Sequence, residues 1–196
     1  MSSPAVAPVR RHLGPRQADT VERLVDAAVA LVARTGYDGL TVRGVAQQAG
    51  VAPATAYTYF ASKEHLLAEV YWRRIQALPP MRVDRRRSAA DRVAEATREV
   101  ALVVGDEPEL AAAVTTALLA HDADVKRLRD LMGQAFTERL RVSLDRDATP
   151  DLLRALVYAL TGALLVAGMG NIAYRDLPDE MAAVTALMTG VRKRSR

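Results

Sequence analysis

The chain has 196 residues, half of them hydrophobic, which is enough to bury a substantial core in one large domain or two small ones. It contains no cysteine, so disulfides, thiolate metal sites and a cysteine nucleophile are excluded and a reducing compartment is expected. The net charge of +4 is modest, aromatic residues make up only 5 % of the chain, and the prevalence of Ala, Leu, Val and Arg over β-branched residues points to an all-α fold.

Residues 1–18 carry Arg10, Arg11 and Arg16 and no acid. Such a segment is either a solvated tail or an arm that reaches a phosphate backbone or minor groove. It has no apolar core of the kind found in secretory signals, and the longest glycine-containing apolar run, Leu160 to Ile172, is short of a membrane span. A soluble, cytoplasmic protein with no membrane partner is expected.

From Asp19, apolar residues fall at Val21, Leu24, Val25, Ala28, Leu31 and Val32, the spacing of one helical face, and the run stops at Thr35-Gly36-Tyr37. Thr41 can cap a second, short helix carrying Val42, Val45, Ala46 and Ala49, closed by Gly50. Pro53 suits the first position of a third helix, which runs to Phe60. Ser62 can cap a fourth, with Glu64 in its first turn, running to Leu78 before Pro79-Pro80.

Met81 to Arg87 is a basic connection, and a domain boundary is expected near residue 80. Five more helices follow: Ser88 to about Val104, Pro108 through Leu119, Asp122 to about Leu144, Thr149-Pro150 to about Tyr174, and Pro178 through Val191. The expected organisation is a flexible arm (1–18), a three-helix head (19–61), a linking helix (62–80) and a helical bundle (81–196), about nine helices in all.

The second and third helices form a unit, VRGVAQQAGVAPATAYTYF, in which a small residue, Ala46, stands where two backbones cross and Gly50 makes the turn. In a helix-turn-helix the second of the pair lies in the DNA major groove. On a helical wheel Pro53, Ala56, Tyr57 and Phe60 are expected inward, and Ala54, Thr55, Thr58 and Tyr59 outward. The outward residues are short and hydroxylated, suited to close approach to base edges, and Arg43 is a candidate for guanine or phosphate.

With these residues in view, GYDGLTVRGVAQQAGVAPATAYTYFASKEHLL resembles the N-terminal signature of the TetR family of bacterial transcriptional regulators. The resemblance runs from about Leu24 to Leu67 and includes Gly36-Tyr37, Thr41, Val45-Ala46, Ala49-Gly50-Val51, Thr55, Tyr57, Tyr59-Phe60, Ser62-Lys63-Glu64 and Leu66-Leu67. It implies DNA contacts at Thr41, Thr55, Tyr57, Tyr59 and Lys63, with Lys63 and the amides beside it on a phosphate, and base contacts at Pro53 and Ala54. Two residues depart from the pattern: Ala52 stands where a capping serine is common, and Ala56 where a bulky aliphatic is common. A third helix that is loosely seated until DNA orders it is therefore expected.

The resemblance further implies that the second half binds a small molecule and dimerises through its last two helices. Ala155, Ala159, Ala163 and Ala167 recur every fourth residue, with Gly162 and Gly170 beside them, a ridge suited to a dimer seam or to packing within the chain. Leu102, Leu118, Met132, Phe136 and Met169, with Tyr158 and Thr115 as orienting groups, are candidate pocket residues for a predominantly apolar effector, or else plain core.

The expected function is a ligand-responsive repressor, a homodimer on a palindromic operator in double-stranded DNA. The alternatives are a constitutive or architectural DNA-binding protein and, remotely, a small all-α enzyme. His12, His65 and His121 share no helix face, and no hydrolase, metalloprotease or phosphate-loop motif is present, so no catalytic residue, metal or cofactor is expected.

Overall fold

The computed structural model describes residues 14–190, among which nine α-helices and two short 3-10 turns are found and no strand. Arg10 and Arg11 lie outside the described residues. The helices are α1 (Pro15–Gly39), α2 (Val42–Gln48), α3 (Pro53–Tyr59), α4 (Lys63–Gln76), α5 (Ala89–Ala101), α6 (Pro108–Leu118), α7 (Ala123–Leu144), α8 (Pro150–Gly168) and α9 (Leu177–Met188). They begin where short polar side chains accept from the first amides or where a proline, having no N–H, leaves one donor fewer to satisfy. The Thr41, Ser88 and Thr149 hydroxyls accept from Gly44, Asp91 and Leu152, and Pro53, Pro150 and Pro178 stand in first turns.

Two ends differ from the sequence-based expectation. The first helix starts at Pro15, so Arg16 is an exposed residue of a helical first turn and not part of an arm. The eighth ends at Gly168, where Gly170 takes φ +79 and the chain turns, several residues before Tyr174. Within α1, Gly36 at φ 64 breaks the helical path so that Tyr37 to Gly39 form a separate final turn.

The fold divides into two compact units. One comprises the chain through Arg73 together with Glu109–Arg129; the other comprises Arg74–Pro108 and the chain from Asp130. The division falls inside α4 and inside α7, and α6 with the start of α7 is grouped with the N-terminal helices, not with the bundle expected from residue 81 onward.

In the first unit α1 packs on α2 and α2 on α3. Val21, Leu24, Ala28 and Val32 of α1, Val45 and Ala46 of α2, and Ala56, Phe60, Leu66 and Leu67 are fully buried. In the second unit α9 packs against α5 and α8, and Ala101, Ala167 and Leu177 form a core cluster joined by Ala163, Leu164, Ile172 and Tyr174. Buried Arg92 closes the end of α7, donating to the carbonyls of Ser143 (2.6 Å) and Leu144 (3.0 Å) and to Asp147 (2.9 Å). Its charge there offsets the negative end of the helix dipole.

Candidate DNA-reading head

The geometry of α2 and α3 follows from a few backbone bonds. At the end of α2 the Val51 amide donates to Ala46 (2.9 Å) and the Gly50 amide to Gln47 (3.2 Å), with Gly50 at φ 64. This paired pattern closes a helix through a left-handed residue, and glycine takes it without a Cβ clash. Two residues on, α3 starts at Pro53, its amides at Thr55 and Ala56 bonded to the Ala52 carbonyl and no side-chain cap present.

Along α3 the buried residues are Ala56, Tyr59 and, just beyond, Phe60, at i, i+3 and i+4. Pro53, Ala54, Thr55, Tyr57 and Thr58 are exposed. This corrects the wheel in three places. The Tyr59 ring, expected outward against DNA, is only 8 % exposed, whereas Tyr57 and Pro53, expected inward, are at the surface, Tyr57 at 51 %. Tyr57 is one residue, or 100°, from Ala56, while Tyr59 is a near-full turn away on the same side, so the three-and-four spacing decides. The interior face that Ala56 leaves small is thereby supplied with two rings.

The exposed face of α3 presents the Thr55 hydroxyl, the Tyr57 ring and Thr58, whose hydroxyl donates back to the Ala54 carbonyl at 3.0 Å and keeps its lone pairs outward. On α2, Thr41 is exposed while capping Gly44 at 3.0 Å, and Arg43 is exposed with no ion-pair partner among the described residues.

Lys63 is half-buried, and its ammonium already has an intramolecular seat. Nζ donates to the Tyr37 carbonyl at 2.9 Å and lies 3.8 Å from the Tyr37 ring centroid. The Tyr37 hydroxyl in turn donates to Glu64 at 2.5 Å. Burial first, then the Glu64 hydrogen bond and charge, push the Tyr37 phenol up to about 12. One ammonium N–H is engaged, and two remain for an outside acceptor.

Three polar residues of this unit are held in ways that helical periodicity does not announce. His65 and Glu69 are completely buried on α4, one turn apart. Glu69 is held by Arg73 at 2.8 Å, and burial, outweighing that partner, pushes its carboxyl up. Asp122 caps α7, accepting from the Asp124 and Val125 amides, and also accepts at 3.4 Å from Ser62, whose hydroxyl caps α4 at the His65 amide (3.0 Å). Burial works to raise the Asp122 carboxyl, but the two amides, His65 and Ser62 outweigh it and hold it below the usual range. Ser62 caps α4 as expected, but its tie to residue 122 has no sequence signature.

The expected pocket residues are scattered. In the second unit a cavity of about 290 Å³ is lined by Arg98, Leu102, Asp106, Tyr174, Arg175 and Pro178, among others. Leu102 is on its wall. Met132 and Phe136 are core of α7, and Thr115 and Leu118 are half-buried on α6. Tyr158 and Met169, expected to line the pocket, instead project outward from α8 at 70 % and 61 % exposure.

The alanine ridge is partly covered by its own chain. Ala167 is in the core cluster, Ala163 packs on it, and Ala155 and Ala159 are half-buried, while Gly162 and Gly170 are exposed. The open apolar face of α8 is offset from the ridge and consists of Tyr158, Leu165, Val166 and Met169, with Leu187 and Met188 exposed on α9. α8 is long and apolar enough to cross a membrane by length and composition alone, although Asp151 and Arg154 stand near its start.

A short helix, a closed turn and a second short helix with an exposed hydroxylated face define a helix-turn-helix DNA-binding protein. Residues 24–70 match the family described as "Bacterial regulatory proteins, tetR family". The chain is 42 % identical over 175 residues to an HTH-type transcriptional regulator of Mycobacterium tuberculosis, covering 88 % of this chain and 82 % of that one. It is 31 % identical over 147 residues to the HTH-type transcriptional repressor KstR of Rhodococcus jostii, covering 70 % and 66 %. The solved FadR of Bacillus subtilis, in complex with stearoyl-CoA, superposes with a TM-score of 0.63 at 19 % identity, over 87 % of this chain and 99 % of that one. The chain belongs to the TetR family of bacterial transcriptional regulators, and it is a DNA-binding regulator, not an enzyme.

Proposed function

We propose that the protein is a cytoplasmic, ligand-responsive repressor that binds a palindromic operator as a homodimer and leaves DNA when a small, predominantly apolar effector binds. The observation that carries the reading is the exposed α3 face, where Thr55, Tyr57 and Thr58 stand clear of the core on a helix whose other side is buried. In this reading Thr55, Thr58 and the Ala54 methyl meet base edges, and Pro53 lies against the groove. Thr41, Arg43, Tyr57, Lys63 and the Arg16 turn meet phosphates. Tyr59 contributes chiefly by holding α3 on the core.

One seven-residue helix makes few contacts, so specificity requires a second head. The uncovered apolar face of α8 supports a partner copy: Leu156, Leu160 and Ala167 of the same helix are packed into their own chain, which a lipid-facing span would not need. Repression is supported by the likeness to the repressor KstR, and a ligand by the stearoyl-CoA in the FadR structure. In the chain itself the support is the cavity beside Leu102 and Tyr174, whose wall joins apolar side chains to Arg98, Asp106 and Arg175.

The effector acts by favouring a conformation in which the two heads no longer match the operator spacing. Because α4 and α7 are each shared by both units, a shift of either helix is carried into the head, where Ser62 and Asp122 join their starts. Footprinting of the DNA upstream of the gene, with and without candidate ligands such as acyl-CoA thioesters, tests this. Protection that a ligand abolishes is the expected result, and protection unchanged by any ligand supports constitutive binding instead.

A further inference from the structure

We infer that Arg23 is a positioning residue for the recognition helix α3, acting through the turn that precedes it and not through DNA phosphate. The inference rests on the reading of α2–α3 as the DNA-reading pair. From α1, the Arg23 guanidinium reaches across 26 residues: Nε and Nη2 donate to the Ala49 carbonyl at 3.3 and 2.7 Å, and Nη2 also donates to the Gly50 carbonyl at 3.2 Å. These are the carbonyls left over when α2 ends. The closing bonds from Val51 and Gly50 use the Ala46 and Gln47 carbonyls, and the Ala49 and Gly50 oxygens further on have no helical donor. A planar guanidinium fits two neighbouring acceptors, and its charge opposes the negative end of the helix.

The position in the chain makes this bond consequential. Leu24, the next residue, is completely buried, so the base of the arginine is fixed in the α1 core. The turn it holds, Ala49-Gly50, is followed directly by Val51, Ala52 and then Pro53 of α3. Ala52 offers no side-chain cap, so the start of α3 is not set by its own first residue. Arg23 fixes it from outside, and a second tie, Arg34 to Gln48 at 2.6 Å, fixes the preceding turn of α2. On this inference the arginine on α1 offsets the serine missing at position 52 and seats the recognition helix in the free protein. Nε and Nη2, one fork of the guanidinium, are taken up by the two carbonyls, and Nη1 lies 3.8 Å from Asp19 in an exposed ion pair.

The test compares wild type, Arg23→Ala and Arg23→Lys on two duplexes: one selected by the wild-type protein from a random-sequence library, and a scrambled duplex of equal length. Arg23→Ala is expected to lose roughly tenfold or more on the selected duplex and less than about twofold on the scrambled one, with the slope of log K against log salt unchanged. Amide exchange should accelerate at residues 49–59 and not elsewhere in the unit. Arg23→Lys, which keeps the charge but cannot bridge two carbonyls, should recover only part of the loss, and it serves alone if the alanine variant does not fold. Equal losses on both duplexes with a slope reduced by about one would make Arg23 a phosphate contact and overturn the inference, as would unchanged binding to both. If wild type selects no sequence at all, the reading of α2–α3 falls, and the inference with it.

Discussion

Lys63 rests on Tyr37: its ammonium donates to the Tyr37 carbonyl at 2.9 Å and lies 3.8 Å from the centre of the ring. The same lysine that resembles a phosphate ligand thus ties the last turn of α1 to the first turn of α4. Lys63→Ala is expected to lower the stability of the head by about 1 kcal/mol through loss of the cation–π contact and hydrogen bond. It should also weaken all DNA sequences about equally and reduce the salt slope by about one, because two ammonium protons remain for a phosphate. Thermal melts and salt-dependent binding isotherms separate the two roles. A stability loss without a slope change would assign Lys63 to Tyr37 alone.

The Tyr37 phenol of this contact ionises later than an ordinary tyrosine. It is pushed up to about 12 by burial and by Glu64. A raised value means that the neutral phenol is favoured in the folded state. Its contribution to stability is therefore complete below about 10, the unfolded value, and is lost as pH rises through about 12. Titration of tyrosinate absorbance should show one component ionising later than the others, and Tyr37→Phe should remove it. An unaltered curve in the variant would refute the assignment.

Asp122 joins two helix starts, its own on α7 and, through Ser62, that of α4. Asp122→Ala should cost about 1–2 kcal/mol, the usual range for a lost cap, measured by denaturant unfolding. The carboxyl is held below its usual range, so the ionised form is the stabilising one. The difference between wild type and variant should be full above about pH 4 and shrink as pH falls further. The variant should also show weaker antagonism between effector and operator. Antagonism equal to wild type would remove Ser62–Asp122 from the relay.

The open face of α8 gives a direct prediction about assembly. Leu165→Glu places a charge on that face without touching Leu156, Leu160 or Ala167 of the core. An unpaired charge buried in a seam costs about 3 kcal/mol or more, over a hundredfold in dimer affinity. Sedimentation should find a dimer for wild type and a monomer of unchanged helicity for the variant. A monomeric wild type would contradict the dimer, and a variant still dimeric would place the seam elsewhere.

Helix starts were legible because they depend on local chemistry: Thr41, Ser62, Ser88 and Thr149 accept from amides three residues on, and Gly50 adopts the positive φ its turn requires. The helix-turn-helix was legible for the same reason. What escaped depends on distance in the chain. The Arg23 bond to Ala49 and the Ser62 bond to Asp122 span 26 and 60 residues and follow no periodicity. The grouping of α6 with the head leaves no trace in helix length or stop signals. The inward and outward faces of α8 were indistinguishable because a helix apolar all round gives no wheel, so Tyr158 and Met169 were assigned to a pocket they do not reach.

The central claim, that α2 and α3 form a sequence-reading head used in pairs, is tested most directly by selecting duplexes from a random library with wild type and with Thr55→Ala. The account predicts that wild type enriches an inverted repeat whose half-sites are centred about 34 Å apart, or a multiple of that spacing, and that Thr55→Ala enriches a repeat altered at the same position in both halves. Enrichment of a single unpaired site, or of no sequence at all, would contradict it.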